Sequence, residues 1–345
     1  MVKTFVKAAA AASVAVLALT ACGSTRDNAA PQPGGGQGGT VGATVPLLTS
    51  PFWQAYNNYV PQKASAEGVQ VLPTVNANSD PTKLITDMNN LLNQGVKGLV
   101  VTPLDSAAVV AGLEQAQRKG VPVVAVDVAP EGGKVAIVVR ADNKAYGVKA
   151  CEHIASKVPE GKVVQIMGDL ASVNGRERSE AFRECMKKYP KVQVLEVPAE
   201  WKADKAAAGL EGLLTSNPDV KAIYMQAGGV YLAPTMQALQ RKNMFFPVGD
   251  PKHVVLVSND GIPQELEAIR KGELDATVSQ PADDYARYGM HYIKRAMAGE
   301  TFKPGPTDHG STIVETRPGI LEDQLAAPLV TRDNVDDKAL WGNQL

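Results

Sequence analysis

The chain has 345 residues, 44% of them apolar and 21% charged, with a formal net charge of −1. That length and apolar content suffice for two medium domains, and near-neutral charge without basic clusters argues against a nucleic-acid partner. No Cys-x-x-Cys pair, clustered histidine or Gly-x-Ser-x-Gly elbow is present, so no metal site, cofactor or hydrolase is expected.

The first element is an address. Lys3 and Lys7 precede an apolar, Ala-rich run from Ala8 to Leu19, followed by Leu19-Thr20-Ala21-Cys22. A basic start, an apolar core and small residues at a cut site describe an export signal, and the core is too short to span a bilayer. The Leu-Thr-Ala-Cys ending resembles the bacterial lipobox. Residues 1–22 are therefore expected to be a lipoprotein signal peptide, with Cys22 the lipidation site on the outer (periplasmic or extracellular) face of the cell membrane. The alternative is an ordinary signal with an incidental cysteine. Residues 23–40, ending in Pro33-Gly34-Gly35-Gly36-Gln37-Gly38-Gly39, cannot bury apolar surface and read as a flexible tether. They are not a phosphate loop, because no strand precedes the glycines and no Gly-Lys-Ser/Thr follows.

From Thr40 onward, short β-branched runs alternate with helical patterns. Strands are expected at Thr40–Leu47, Val69–Thr74, Gly98–Val101, Val121–Val126, Val135–Val139, Lys162–Met167, Gln193–Val197, Ala222–Met225 and Val254–Ser258. Helices are expected at Pro51–Glu67, Pro81–Gln94, Ser106–Lys119, Lys144–Val158, Gly175–Tyr189, Lys202–Thr215 and Leu232–Arg241. Strands lacking period-two alternation, separated by amphipathic helices, indicate parallel sheets covered on both faces. The number of units predicts an α/β protein of two doubly wound, Rossmann-like lobes. Cys151 and Cys185 lie in helices flanking one strand; in an oxidising setting they form either a disulfide or two buried thiols.

Ligands of open α/β sheets sit beyond the carboxyl ends of the strands. The residues found there are Thr49–Trp53, Pro103–Asp105, Asp127, Gly168–Arg176, Ala227–Gly229, Asp260 and Gln280. They carry landmarks in a familiar order: Ser50-Pro51-Phe52-Trp53, Pro103-Leu104-Asp105-Ser106, Val121–Asp127, Gly175–Phe182, Asn217-Pro218-Asp219, Asn259-Asp260-Gly261 and Val278-Ser279-Gln280-Pro281. From about Val41 to the C-terminus the chain resembles the bacterial periplasmic sugar-binding proteins of the ribose-binding type.

The resemblance implies a type I periplasmic binding protein fold with three crossovers, near Ala141–Lys144, Gln280–Ala282 and Asp308–Thr312. The lobes would comprise 41–142 plus 281–310 and 143–280 plus 311–345. It further implies a non-enzymatic monomer that captures a small sugar or polyol and delivers it to an ABC transporter permease. The alternative role is a binding module for a chemoreceptor or sensor kinase that recognises a furanose-like signal molecule. The implied ligand-binding residues are Ser50, Phe52, Trp53, Asp127, Arg176, Trp201, Ala227, Asp260 and Gln280. Aromatic rings stack on the C–H faces of a sugar, carboxylates accept from its hydroxyls, and a guanidinium donates. Each has a plainer reading: Asp127 and Asp260 as helix caps, Phe52 and Trp53 as core, and Arg176 as a surface partner of Glu180, although Arg178 suits that surface role better. Two positions depart from the family pattern. Val128 stands where ribose binders often have arginine, and Ala227-Gly228-Gly229 stands where Asn-Asp is usual, which puts ribose itself in doubt. The two glycines either form a tight turn or offer backbone N–H groups to an oxygen.

Overall fold

The computed structural model describes residues 39–345; the expected signal peptide, Cys22 and all but the end of the expected tether lie outside the described residues. In chain order the first elements are β1 (Val41–Val45), α1 (Pro51–Glu67), β2 (Val75–Asn76), α2 (Pro81–Asn93), β3 (Gly98–Val101), α3 (Val110–Arg118), β4 (Val123–Val126) and β5 (Ile137–Ala141). Next come α4 (Asn143–Lys157), β6 (Gly161–Met167), α5 (Val173–Met186), β7 (Val192–Pro198), α6 (Ala203–Ser216), β8 (Val220–Met225), α7 (Gly228–Arg241), β9 (Val255–Asp260), α8 (Pro263–Lys271) and β10 (Ala276–Ser279). The chain ends with α9 (Ala282–Met297), β11 (Gly305–Pro306), β12 (Thr312–Arg317), β13 (Ile320–Leu325), β14 (Leu329–Val330) and a short 3-10 turn at Trp341–Asn343.

Two sheets result, in the orders β11-β12-β13-β5-β4-β3-β1-β2 and β14-β10-β9-β8-β6-β7. Every residue of β1, β3, β4 and β5 is buried, as is every residue of β9 and β10. A parallel strand with helices on both faces has no solvent side, which is why β3 (GLVV) and β4 (VVAV) read as near-continuous apolar runs. Each such side chain contributes roughly 1.5–3 kcal/mol on burial, so the paired strands form the core of each lobe. Local chemistry sets the helix starts. Pro51 opens α1, and the Asp80 side chain accepts from Thr82 N at 2.8 Å to cap α2.

Three differences from the sequence reading have physical causes. The strand expected at Val69–Thr74 shrinks to Val75–Asn76 plus a single bridge between Val41 and Val71, because Pro73 has no N–H for the ladder. Helix α3 starts at Val110, since the Asp105 carboxylate holds Ala107 N and Ala108 N, each at 2.8 Å, in a preceding turn. Beyond Ser258 the pattern is not segmented in the sequence reading, yet α8, β10, α9 and β11–β14 lie there.

The lobe boundary also moves. The passages at Ala141–Asn143 and Gln280–Ala282 fall near the expected positions, but the third lies at Leu325–Leu329, not Asp308–Thr312. β12 pairs antiparallel with β13, and β13 pairs parallel with β5, so residues 311–325 complete the first sheet. Only afterwards does β14 join β10 in the second.

Helices α4 and α5 pack almost backbone to backbone. A Cβ at Gly147 would stand 2.5 Å from the Arg178 carbonyl oxygen, and Cys151 and Cys185 are joined across the same interface. This contact fixes the position of α5, the helix that delivers the second lobe's basic group to the cleft.

Candidate functional site

The lobes close on a cavity of about 260 Å³ at the carboxyl ends of the parallel strands. The first lobe contributes Ser50, Phe52, Trp53, Asp105, Asp127 and Val128; the second contributes Asp169, Asn174, Arg178, Trp201, Ala227 and Asp260; Gln280 comes from a crossover. Eight of the nine expected residues therefore line one space. The exception is Arg176.

Arg176 lies on the outside of α5. Its guanidinium donates to Leu170 O at 2.6 Å and pairs with Glu131 of the first lobe, and its side chain is about a third exposed. Arg178, to which the sequence reading gives the surface role, is the buried one, at 2% exposure. The buried stripe of α5 runs Asn174, Arg178, Phe182, Cys185. Extending it backward from the plainly apolar Phe182 by four-residue steps reaches Arg178 and then Asn174; that helical phase is the signal that separates the two arginines.

Arg178 is held on all sides. Its Nε donates to Asn143 Oδ1 at 2.6 Å, one Nη to Gln226 O at 2.6 Å and the other to Gln280 Oε1 at 2.9 Å. The guanidinium carbon lies 4.8 Å from the Tyr146 ring centroid and 5.6 Å from that of Trp201. Five donors with three protein acceptors leave two N–H groups for a ligand.

The carboxylates are equally constrained. Asp127 ends β4 at φ 66°, a conformation that turns its carboxyl off the strand, with Val128 N donating to Val126 O at 2.8 Å. Its Oδ1 has no partner among the described residues. Burial pushes this carboxyl up, opposed by the positive charges of Arg178 and Arg140. Asp260 ends β9 at φ 123°; its Oδ1 accepts from Gln280 Nε2 at 2.6 Å and its Oδ2 from Gly229 N at 2.7 Å. Burial pushes it up to about 6 in spite of these donors. The freed N–H at the start of α7 is thus taken by the protein's own carboxylate, and neither expected use of the glycine pair is the whole account. A Cβ on Gly228 would strike the Glu265 carboxyl at 1.8 Å, and one on Gly229 would lie 2.6 Å from Ser50 Oγ of the other lobe.

Two groups outside the expected set, Glu265 and Trp341, support this geometry together with the expected Trp201. Glu265 is fully buried and takes N–H groups from Gly261 and Ile262 at 2.6 and 2.9 Å; burial and the nearby Asp260 push it up to about 8. Trp201 sits at φ 56° with its N–H on the Tyr231 hydroxyl at 2.8 Å and its ring parallel to Tyr231; Gly168 leaves room for the indole, since a Cβ there would lie 1.9 Å from it. Trp341 donates its indole N–H to Asp260 O at 3.2 Å and packs edge-on against Phe52, ring centroids 5.7 Å apart. Nothing in the sequence near Trp341 follows a strand, so the strand-end rule passes over it.

The lobes also touch directly at the rim. Ser106 N donates to Ala171 O at 3.1 Å, and Val173 N donates to Ser106 Oγ at 3.0 Å. Among the described residues no group of three His, Cys, Asp or Glu side chains could hold a metal, and no helix is long and apolar enough to cross a membrane.

This architecture has known counterparts. The periplasmic binding protein domain family matches residues 41–301. The ribose import binding protein RbsB of Bacillus subtilis is 31% identical over 242 residues, 70% of this chain and 76% of that protein. The xylitol-binding protein of Mycolicibacterium smegmatis is 26% identical over 332 residues, covering 95% and 86%. The crystal structure of an ABC transporter solute binding protein from Mycobacterium smegmatis with bound glycerol superposes with a TM-score of 0.75 at 25% identity, covering 86% of this chain and 96% of that one. With a two-lobed cleft at its strand ends and relatives that bind rather than turn over their solutes, the chain belongs to the periplasmic binding protein family and has its type I fold.

Proposed function

We propose that the protein captures a small, uncharged sugar or polyol between its lobes and delivers it to an ABC transporter permease, held at the membrane through a lipid on Cys22. The observation that carries this reading is the convergence of Asp127, Asp260, Arg178 and Gln280 on one cavity that Trp53 and Trp201 also line. Such a site offers acceptors and donors to hydroxyls and flat apolar faces to C–H groups. Asp105, Asp127, Asp169, Glu200 and Asp260 line the cavity against Arg178 and Lys202, so the field opposes a sugar phosphate or a uronic acid.

Val128 and Ala227 give part of the wall no hydrogen-bonding side chain. A ligand hydroxyl buried there unpaired would cost about 1–3 kcal/mol. The reading therefore favours a polyol or pentose that presents carbon to this wall, in line with the xylitol-binding relative that spans most of the chain. Titration calorimetry with xylitol, D-ribose, D-allose, myo-inositol and ribose 5-phosphate tests it. At least one neutral compound binds at micromolar or tighter Kd and the phosphate does not; heat from the phosphate alone, or from none of the five, overturns the reading. Metabolic labelling with palmitate, lost in Cys22→Ser, tests the anchor.

A further inference from the structure

One buried cation outside the cavity wall connects the two lobes. Arg140 is the penultimate residue of the buried strand β5 in the first lobe, next to the first crossover, and is 2% exposed. Its Nη1 faces Glu322 of neighbouring β13 at 3.4 Å, a partner within its own lobe. Its Nη2 crosses to the second lobe, donating to Asn174 Oδ1 at 2.8 Å and to Glu177 Oε2 at 2.6 Å, both on the first turns of α5.

Asn174 lines the cavity and Glu177 does not. Because Arg140 can only donate, it fixes the Asn174 oxygen as its acceptor and leaves the amide N–H groups for other partners. We propose that Arg140 is a positioning residue that acts through Asn174 and Glu177: the guanidinium holds α5 against the first lobe, so that closing the cleft and orienting the Asn174 amide are one event. When the lobes part, Arg140 keeps Glu322 and loses both α5 partners, so the contact weights closed against open independently of any solute. The inference concerns the lobe equilibrium and goes beyond the identity of the solute.

The test removes Glu177, which leaves every cavity-lining residue in place. Single-molecule energy transfer between one dye on each lobe, measured without solute, reads the closed-to-open ratio. Glu177→Ala is expected to lower that ratio about ten-fold, as for loss of one charge-assisted hydrogen bond. Affinity for the neutral sugar or polyol identified by calorimetry falls by the same factor, through faster release. Glu177→Gln keeps an acceptor oxygen and falls between Ala and wild type. Glu196→Ala serves as the control: it removes an exposed partner of Arg183 on the same helix, at 3.0 Å and within the second lobe, and leaves the ratio unchanged. Wild-type inter-lobe distances in Glu177→Ala, or an equal shift in Glu196→Ala, overturn the proposal. The dye measurement needs no solute, so its failure is distinct from failure of the sugar-binding reading.

Discussion

Arg176 and Arg178 stand two positions apart on α5, about 200° around its axis, and that rotation gives one to the surface and the other to the cavity. Arg178→Ala strands the buried acceptors Asn143 Oδ1 and Gln280 Oε1, at about 1–3 kcal/mol each if unreplaced, while Gln226 O keeps the Asn259 amide at 3.2 Å. We expect a loss of at least 100-fold in solute affinity and on the order of 3 kcal/mol in stability, whereas Arg176→Ala changes affinity by no more than a few-fold. Calorimetry on both variants decides it; a larger loss in Arg176→Ala would return that residue to the site. The remaining cavity-lining candidates, Trp201 apart, were legible because strand ends announce themselves. The arginine was not, because family order counts residues and only helical phase tells faces apart. A second residue-scale outcome concerns pH. Asp260 and Glu265 are held above their ordinary ranges by burial, near 6 and near 8. The folded state then binds more protons than the unfolded chain between roughly pH 4 and 8, so this contribution is complete at low pH and is lost as pH rises through those values. Glu265→Gln mimics the neutral carboxyl, with an oxygen for Gly261 N and Ile262 N. Urea midpoints measured from pH 5 to pH 8 should fall in the wild type and fall less in Glu265→Gln; parallel curves would show that Glu265 is charged throughout.

At the scale of elements, α4 and α5 form the rigid block that presents Asn174 and Arg178. Their closeness rests on Gly147, and the disulfide closes a chain separation of 34 residues. Restricting an unfolded loop of that length contributes roughly 3–4 kcal/mol. Cys151→Ala/Cys185→Ala should therefore lower the unfolding free energy by that amount while leaving solute affinity within about two-fold, because neither cysteine lines the cavity. A strong affinity loss at full foldedness would mean that the bond tunes the site as well as the lobe. The loop after β6 makes the complementary case. Gly168→Ala drives a methyl into the Trp201 indole, so affinity should drop about ten-fold with little change in stability. Element type was readable from composition here because buried parallel strands and amphipathic helices differ so plainly. The late β12–β13 hairpin was not, since its charged sequence (Thr312–Arg317, Ile320–Leu325) carries no sign that β13 is largely buried and pairs with β5 some 180 residues earlier. Long-range pairing of an edge hairpin is decided by the sheet it joins, not by its own pattern.

For the whole molecule, function depends on how closely the lobes can approach, and one glycine sets that distance. Gly229 in the second lobe faces Ser50 in the first with no room for even a methyl, at 2.6 Å to Ser50 Oγ. Its backbone is not in the left-handed region, so a larger side chain fits the helix itself; its tightest obstacle lies across the cleft, with Asp260 Oδ2 of its own lobe farther off at 3.1 Å. Gly229→Val should thus act as a wedge. Each lobe keeps its sheet, its helices and the backbone N–H of position 229 on Asp260, and the unfolding free energy stays within about 1 kcal/mol of wild type. The closed arrangement, in which Asp127 and Trp53 on one side share a cavity with Arg178 and Asp260 on the other, is however denied. If binding is lobe closure, affinity falls by 30-fold or more, and small-angle scattering with saturating solute keeps the larger radius of gyration of the open form. If the variant binds as tightly as wild type and contracts as far, the solute is held by one lobe alone.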